Sequence, residues 1–131
     1  MKRNIVSVVL CVAVLLTLGA AVALAAGGDS ITIKATANPQ GGAANLTGSG
    51  TYALGTNNGV QNTLKSIYFL AKDTTSGQVT YNNNTQRNMG NWSGSLNVVA
   101  GTYNCWAEIN TQNGVNAYST NSNTINNVVV K

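Results

Sequence analysis

Hydrophobic residues are arranged in two different ways along this 131-residue chain. The first is a continuous apolar run over residues 5–18, which follows the basic opening Met1-Lys2-Arg3-Asn4. Gly19 weakens a helix there, and Ala23-Leu24-Ala25 supplies small residues at the spacing signal peptidase prefers. A basic start, an apolar middle and an A-x-A-like end are the three parts of a secretory signal, so residues 1–25 are expected to be an export leader. Apolar character continues through Ala26, so the run also approaches the ~20 residues a spanning helix needs, and an uncleaved membrane anchor is the competing expectation. Either outcome keeps the basic end in the cytoplasm and exports the rest.

The second arrangement is alternation. Beyond the leader no stretch keeps a helical apolar period, and short β-type runs recur between clusters of Gly, Asn and Ser. Residues 30–38 put Ile31, Ile33, Ala35 and Ala37 on one face and Thr32, Lys34 and Thr36 on the other, and Pro39-Gln40-Gly41-Gly42 ends the run. Residues 46–54 form a second strand, in which Gly48 and Gly50 leave room for a neighbour to come close. After an expected turn at 56–62, residues 64–72 are the most apolar strand and are placed at the centre of the sheet. Asp73-Thr74-Thr75-Ser76-Gly77 connects to a short strand at 78–81, and 82–90 reads as a polar loop. Strands at 91–99 (Trp92, Leu96 and Val98 inward), 102–110, 115–119 and 124–130 complete the pattern. The expected fold is all-β, a single antiparallel β-sandwich of seven or eight strands over residues 26–131, preceded by a signal helix. A jelly roll and a small barrel are the alternatives.

Composition then narrows the partners. The chain has seven Lys and Arg against three Asp and Glu, a net +4. Loss of Lys2 and Arg3 with the leader leaves +2, with the cations scattered singly. No basic stripe remains to follow a phosphate backbone, so nucleic acid is not expected as a partner. Charged residues make up 8% of the chain, where about 25% is usual. Asn, Thr, Ser and Gly replace them, giving the polar, nearly neutral surface that suits an extracellular structural or adhesive protein. The leader also removes Cys11, so Cys105 is left unpaired and is expected as a small buried hydrophobe on a central strand.

One segment carries a resemblance. Asn91-Trp92-Ser93, Leu96, Ala100-Gly101-Thr102-Tyr103, Ala107 and Asn113-Gly114, preceded by Ile67-Tyr68-Phe69-Leu70 and the 73–77 connection, resemble the C-terminal half of bacterial immunoglobulin-like and fibronectin type III-like domains. The match spans roughly residues 64–118. It implies that Tyr103, two residues before Cys105 and just after a Gly turn, acts as a tyrosine corner, with its ring inside and its hydroxyl on the backbone of the crossing loop. It implies Trp92 as a structural strand residue, and roles in adhesion, spacing and carbohydrate or protein binding. The early-strand Cys of disulfide-bonded immunoglobulin domains has no counterpart here.

No catalytic, cofactor-binding or metal-binding residues are expected. The chain has no His, which removes the usual neutral-pH base and the commonest metal ligand. Asp29 is expected at the flexible new N-terminus, Asp73 at a hairpin and Glu108 on a strand. Cys105 lacks a base to activate it. Aromatic residues are the remaining lead. On the strand from Thr102, Tyr103, Cys105, Ala107 and Ile109 share one face, while Asn104, Trp106 and Glu108 share the other. If the first set is core, Trp106 faces outward beside amide and carboxylate groups, with Tyr68 on the next strand extending the patch. Such an arrangement suits stacking on a sugar ring. The competing expectation is that a loop or a partner strand covers Trp106.

These readings point to an exported, non-enzymatic module, secreted, periplasmic or at the cell surface, that binds carbohydrate or a surface protein. It touches membrane only through an uncleaved leader. The alternative is self-association through an edge at residues 124–130. A small hydrolase using Asp73 or Glu108 is the poorest reading.

Overall fold

A computed structural model describes residues 23–24, 28–38 and 44–131. Apart from Ala23 and Leu24, the leader expected over residues 1–25 lies outside the described residues. Among those described, the protein is all-β with no helix, and every strand pairing is antiparallel. In chain order the strands are β1 (Ala23–Leu24), β2 (Ser30–Ile31), β3 (Lys34–Ala37), β4 (Leu46–Ala53), β5 (Thr56–Asn57), β6 (Val60–Gln61) and β7 (Thr63–Asp73). They continue with β8 (Val79–Asn82), β9 (Gln86–Asn88), β10 (Asn91–Leu96), β11 (Gly101–Asn113), β12 (Asn116–Asn121) and β13 (Ile125–Val130). One sheet runs β1-β2-β4-β10-β9, with β3 also on β4. The second runs β12-β11-β7-β8, with β13 also on β11. Strands β5 and β6 form a separate hairpin.

Alternation sets which way each strand faces, because side chains switch sides at every residue. On β7, Ile67, Phe69 and Ala71 are buried; on β11, Tyr103, Cys105, Ala107 and Ile109 are. From the first sheet Ile31, Ile33, Leu46, Trp92 and Leu96 join them in one hydrophobic cluster. The Phe69 ring bridges the two sheets. It lies 6.1 Å from the Trp92 ring, tilted by 46°, and sits against Gly48, where an added Cβ would come within 2.6 Å of it. A polar bond ties the same layers together. Thr85 Oγ1 donates to Ile67 O at 2.9 Å. Within the first sheet, Asn45 exchanges two bonds with the Val98 backbone, at 2.6 and 2.9 Å, just beyond the Leu46–Leu96 pair of β4 and β10.

Three local expectations need correction. Residues 30–38 are not one strand but β2 and β3, broken at Thr32 and Ile33. The break has a cause: the Thr32 carbonyl accepts the Trp92 indole N–H at 2.9 Å, and Thr32 Oγ1 accepts Thr51 N–H at 2.8 Å, so side chains replace part of the ladder. Segment 56–62 is not a plain turn but the β5–β6 hairpin. Its two-residue loop, Asn58 (φ 53°) and Gly59 (φ 76°), has the two positive φ values that a type I′ turn requires. The 82–90 loop holds β9, joined to β10 through Met89 (φ 49°) and Gly90 (φ 84°), the same loop length with a far less suitable first residue. The seven or eight strands expected over residues 26–131 are thus twelve segments among the described residues, several of two or three residues, with β1 lying inside the expected leader.

A fourth difference concerns Asp29. Far from being loose, its side chain is fully buried. Its Oδ1 accepts Gly55 N–H at 2.8 Å and Asn62 Nδ2–H at 2.9 Å, and its Oδ2 accepts the Thr111 hydroxyl. Asp29 therefore fastens the start of the first sheet to the end of β11.

Candidate functional site

The site is built on the outward face of the second sheet. Because Tyr103, Cys105, Ala107 and Ile109 fill the inward positions of β11, Asn104, Trp106 and Glu108 point out, each half-buried. Register sets their neighbours. Trp106 pairs with Leu70 on β7, and Leu70 pairs with Tyr81 on β8. A row Tyr81–Leu70–Trp106 therefore crosses three strands, spanning about 10 Å at the usual strand spacing. In the next row Glu108 pairs with Tyr68, whose ring stacks on Tyr81 with centroids 5.6 Å apart.

On the far side of Trp106 the sheet edge changes hands. Strand β12 occupies the edge of β11 from Glu108 to Asn113, and β13 occupies it from Gly101 to Cys105. Between them Ser122 substitutes for a strand. Its N–H donates to Ala107 O at 2.8 Å, its Oγ accepts Ala107 N–H at 2.9 Å, and its hydroxyl donates to Asn123 O. The handover leaves an open depression of about 400 Å³ beside Trp106. Lys72 and Asn104 line it from β7 and β11, and Asn121, Ser122, Thr124 and Asn126 from the β12–β13 side.

Most of this lining has free hydrogen-bonding capacity. Asn104 Oδ1 accepts Asn127 N–H at 3.1 Å, so its Nδ2 is left available. Among the described residues no hydrogen bond engages the side chains of Asn121, Thr124 or Asn126, and no ion pair engages Lys72. The depression thus combines an indole, amides, a hydroxyl and one cation, a set that can stack on a ring's C–H groups and bond its hydroxyls.

The residues singled out from sequence fall into three groups. Trp106 and Asn104 lie together in the depression. Glu108 and Tyr68 share the face but sit one row away. Glu108 accepts the Asn110 amide at 3.1 Å, and Tyr68 belongs to the Tyr81 stack. Trp92, Tyr103 and Cys105 are buried in the core. The Tyr103 hydroxyl donates to Val99 O at 2.7 Å, four residues upstream. Burial, and after it the Asp73 carboxylate, raises the Tyr103 hydroxyl above its ordinary value. Burial pushes the Cys105 thiol up to about 12, which keeps it protonated and weakly nucleophilic at neutral pH.

The carboxylates lie in separate places. Asp73 sits opposite Tyr103 on the inward side of its sheet, and its Oδ1 caps the following turn by accepting Thr75 and Ser76 N–H. Glu108 points outward, and Asp29 holds the interior bonds given above.

Sequence reasoning missed Tyr81, Leu70, Lys72 and the 121–126 side. Alternation within 78–81, together with the hairpin register, was a usable signal for Tyr81. No local signal marks Asn121 or Asn126, which reach Trp106 only because two strands share one edge. Compared with known proteins, the chain matches no family model, no curated protein and no solved structure.

Proposed function

We propose that this protein is an exported, non-enzymatic binding module, an immunoglobulin-like β-sandwich that holds carbohydrate in the depression beside Trp106. The observation that carries the reading is the pairing of an outward, half-buried Trp106 with amides and a hydroxyl that no other described group engages. Asn121, Thr124 and Asn126 are solvent-exposed beside the half-buried indole, so their amides and hydroxyl stand open to a ligand next to Trp106. The sandwich reading is supported by two antiparallel sheets that contribute to one hydrophobic cluster. The immunoglobulin-like reading is supported by the Tyr103–Val99 bond, which has the form of a tyrosine corner. Export rests on the three-part pattern of residues 1–25, and adhesion at a cell surface or in the extracellular space is the role that fits both.

The rival reading, assembly through the 124–130 edge, has weaker support. Asn127 stands at φ 61°, and the β11–β13 register shifts between Tyr103 and Cys105. A bulged, kinked edge is a poor template for a neighbour's strand.

The test is a glycan array probed with the wild type and with Trp106→Ala. The wild type should bind a limited set of glycans, and the variant should lose them while its melting temperature stays within about 5 °C, the shift expected for a surface substitution near 1 kcal/mol. An identical array pattern for both proteins would remove Trp106 from the site. A monomeric wild type by size-exclusion chromatography with light scattering would count against the assembly rival.

A further inference from the structure

Charge in the depression is one-sided. Its only ionised lining group is the Lys72 ammonium, which no described carboxylate pairs. The nearest acid on the same face, Glu108, belongs to the next row along β11 and bonds Asn110 on the side away from Trp106. Asp73 follows Lys72 in sequence but points to the other side of the sheet, into its own turn. In register, Lys72 pairs with Asn104, the residue whose Nδ2 is free. A cation and an amide donor therefore stand together in the row on one side of Trp106, where Asn127 N–H meets Asn104 Oδ1, while Asn121, opposite Glu108, stands in the row on the other side.

We infer that the depression selects an acidic sugar, a pyranose carrying a carboxylate, over the neutral sugar of the same shape. The ring stacks on Trp106. The carboxylate reaches Lys72 and Asn104 Nδ2, a charge-assisted contact stronger than a neutral hydrogen bond. The ring hydroxyls meet Asn121, Thr124 and Asn126. This inference rests on the carbohydrate-binding reading above and adds the charge of the ligand to it.

A matched pair of probes isolates that addition. Oligogalacturonate and oligomannuronate are each titrated beside their methyl esters, which keep the ring and lose the charge, against wild type, Lys72→Gln and Trp106→Ala. At least one free acid should bind the wild type about tenfold more tightly than its ester, the scale of one hydrogen bond to a charged group. That preference should shrink at high salt and vanish in Lys72→Gln, whose affinities for acid and ester should be equal. Trp106→Ala should lose both forms. Equal affinity for acid and ester overturns the acidic selection and leaves the carbohydrate reading standing. Ester binding that survives Trp106→Ala overturns the carbohydrate reading as placed here. Failure of every acid and ester to bind overturns the inference.

Discussion

Asp29 shows how one residue can change character between sequence and structure. Near the end of an apolar leader, followed by a strand, it looks like a solvated charge. In the fold it is buried and accepts three hydrogen bonds from Gly55, Asn62 and Thr111. The Asn62 amide that serves it is itself buried and also accepts from Asn57 and Asn113. Removing the carboxylate strands donors in the interior, at a cost of ~1–3 kcal/mol for each unsatisfied group. Asp29→Ala should therefore lose about 3–5 kcal/mol in urea unfolding, with Asp29→Asn losing less because one acceptor remains. A loss below about 1 kcal/mol for the alanine variant would show that the network does not hold the fold. Cys105 and Tyr103 behave as their neighbours dictate. One is an inert thiol among apolar side chains; the other has its hydroxyl fixed on Val99.

At the level of strands, the glycines of β4 decide how closely neighbouring segments approach, the second sheet at Gly48 and the β2–β3 connection of its own sheet at Gly50. The Phe69 ring sits where a Cβ on Gly48 would be, and the Thr32 carbonyl crowds the same position on Gly50. Backbone cannot swing aside as a side chain can, so Gly50→Ala should cost about 2–3 kcal/mol, in the range of overpacked cores. It should also weaken the Trp92–Thr32 bond. Ser49→Ala, on the exposed face between the two glycines, should stay within about 0.5 kcal/mol. Equal midpoints for the two variants in urea would contradict this account. Alternation and the Gly-Asn clusters made the long strands legible in the sequence, and with them the inward set on β11 and the outward aspect of Trp106. The short pieces were not legible. The break at Thr32 depends on a Trp sixty residues away in sequence, and Met89 gives no sign that it will adopt φ 49° in a hairpin. Half of the depression was hidden for a related reason: Asn121 and Asn126 come from two strands that compete for one edge, a long-range fact with no local signature.

Over the whole molecule, the two outer faces differ in kind. The first sheet turns out Thr47, Ser49, Thr51, Ser93 and Gln86, hydroxyls and amides with no aromatic among them, in direct register across β4, β10 and β9. The second turns out Tyr68, Leu70, Tyr81 and Trp106 beside the amide-lined depression. The proposed binding falls on the second face because that face offers apolar area together with unengaged polar groups. The two indoles provide a direct check, since Trp92 is buried with its N–H on Thr32 and Trp106 lies in the depression. The decisive measurement is a two-dimensional 1H–15N NMR titration with the tightest-binding glycan of the array. The Trp106 indole N–H and the side-chain amides of Asn104, Asn121 and Asn126 should shift in step and saturate, while the Trp92 indole stays in place. Shifts confined to Thr47, Ser49, Ser93 and Ser95, or to Trp92, would contradict the assignment of the site.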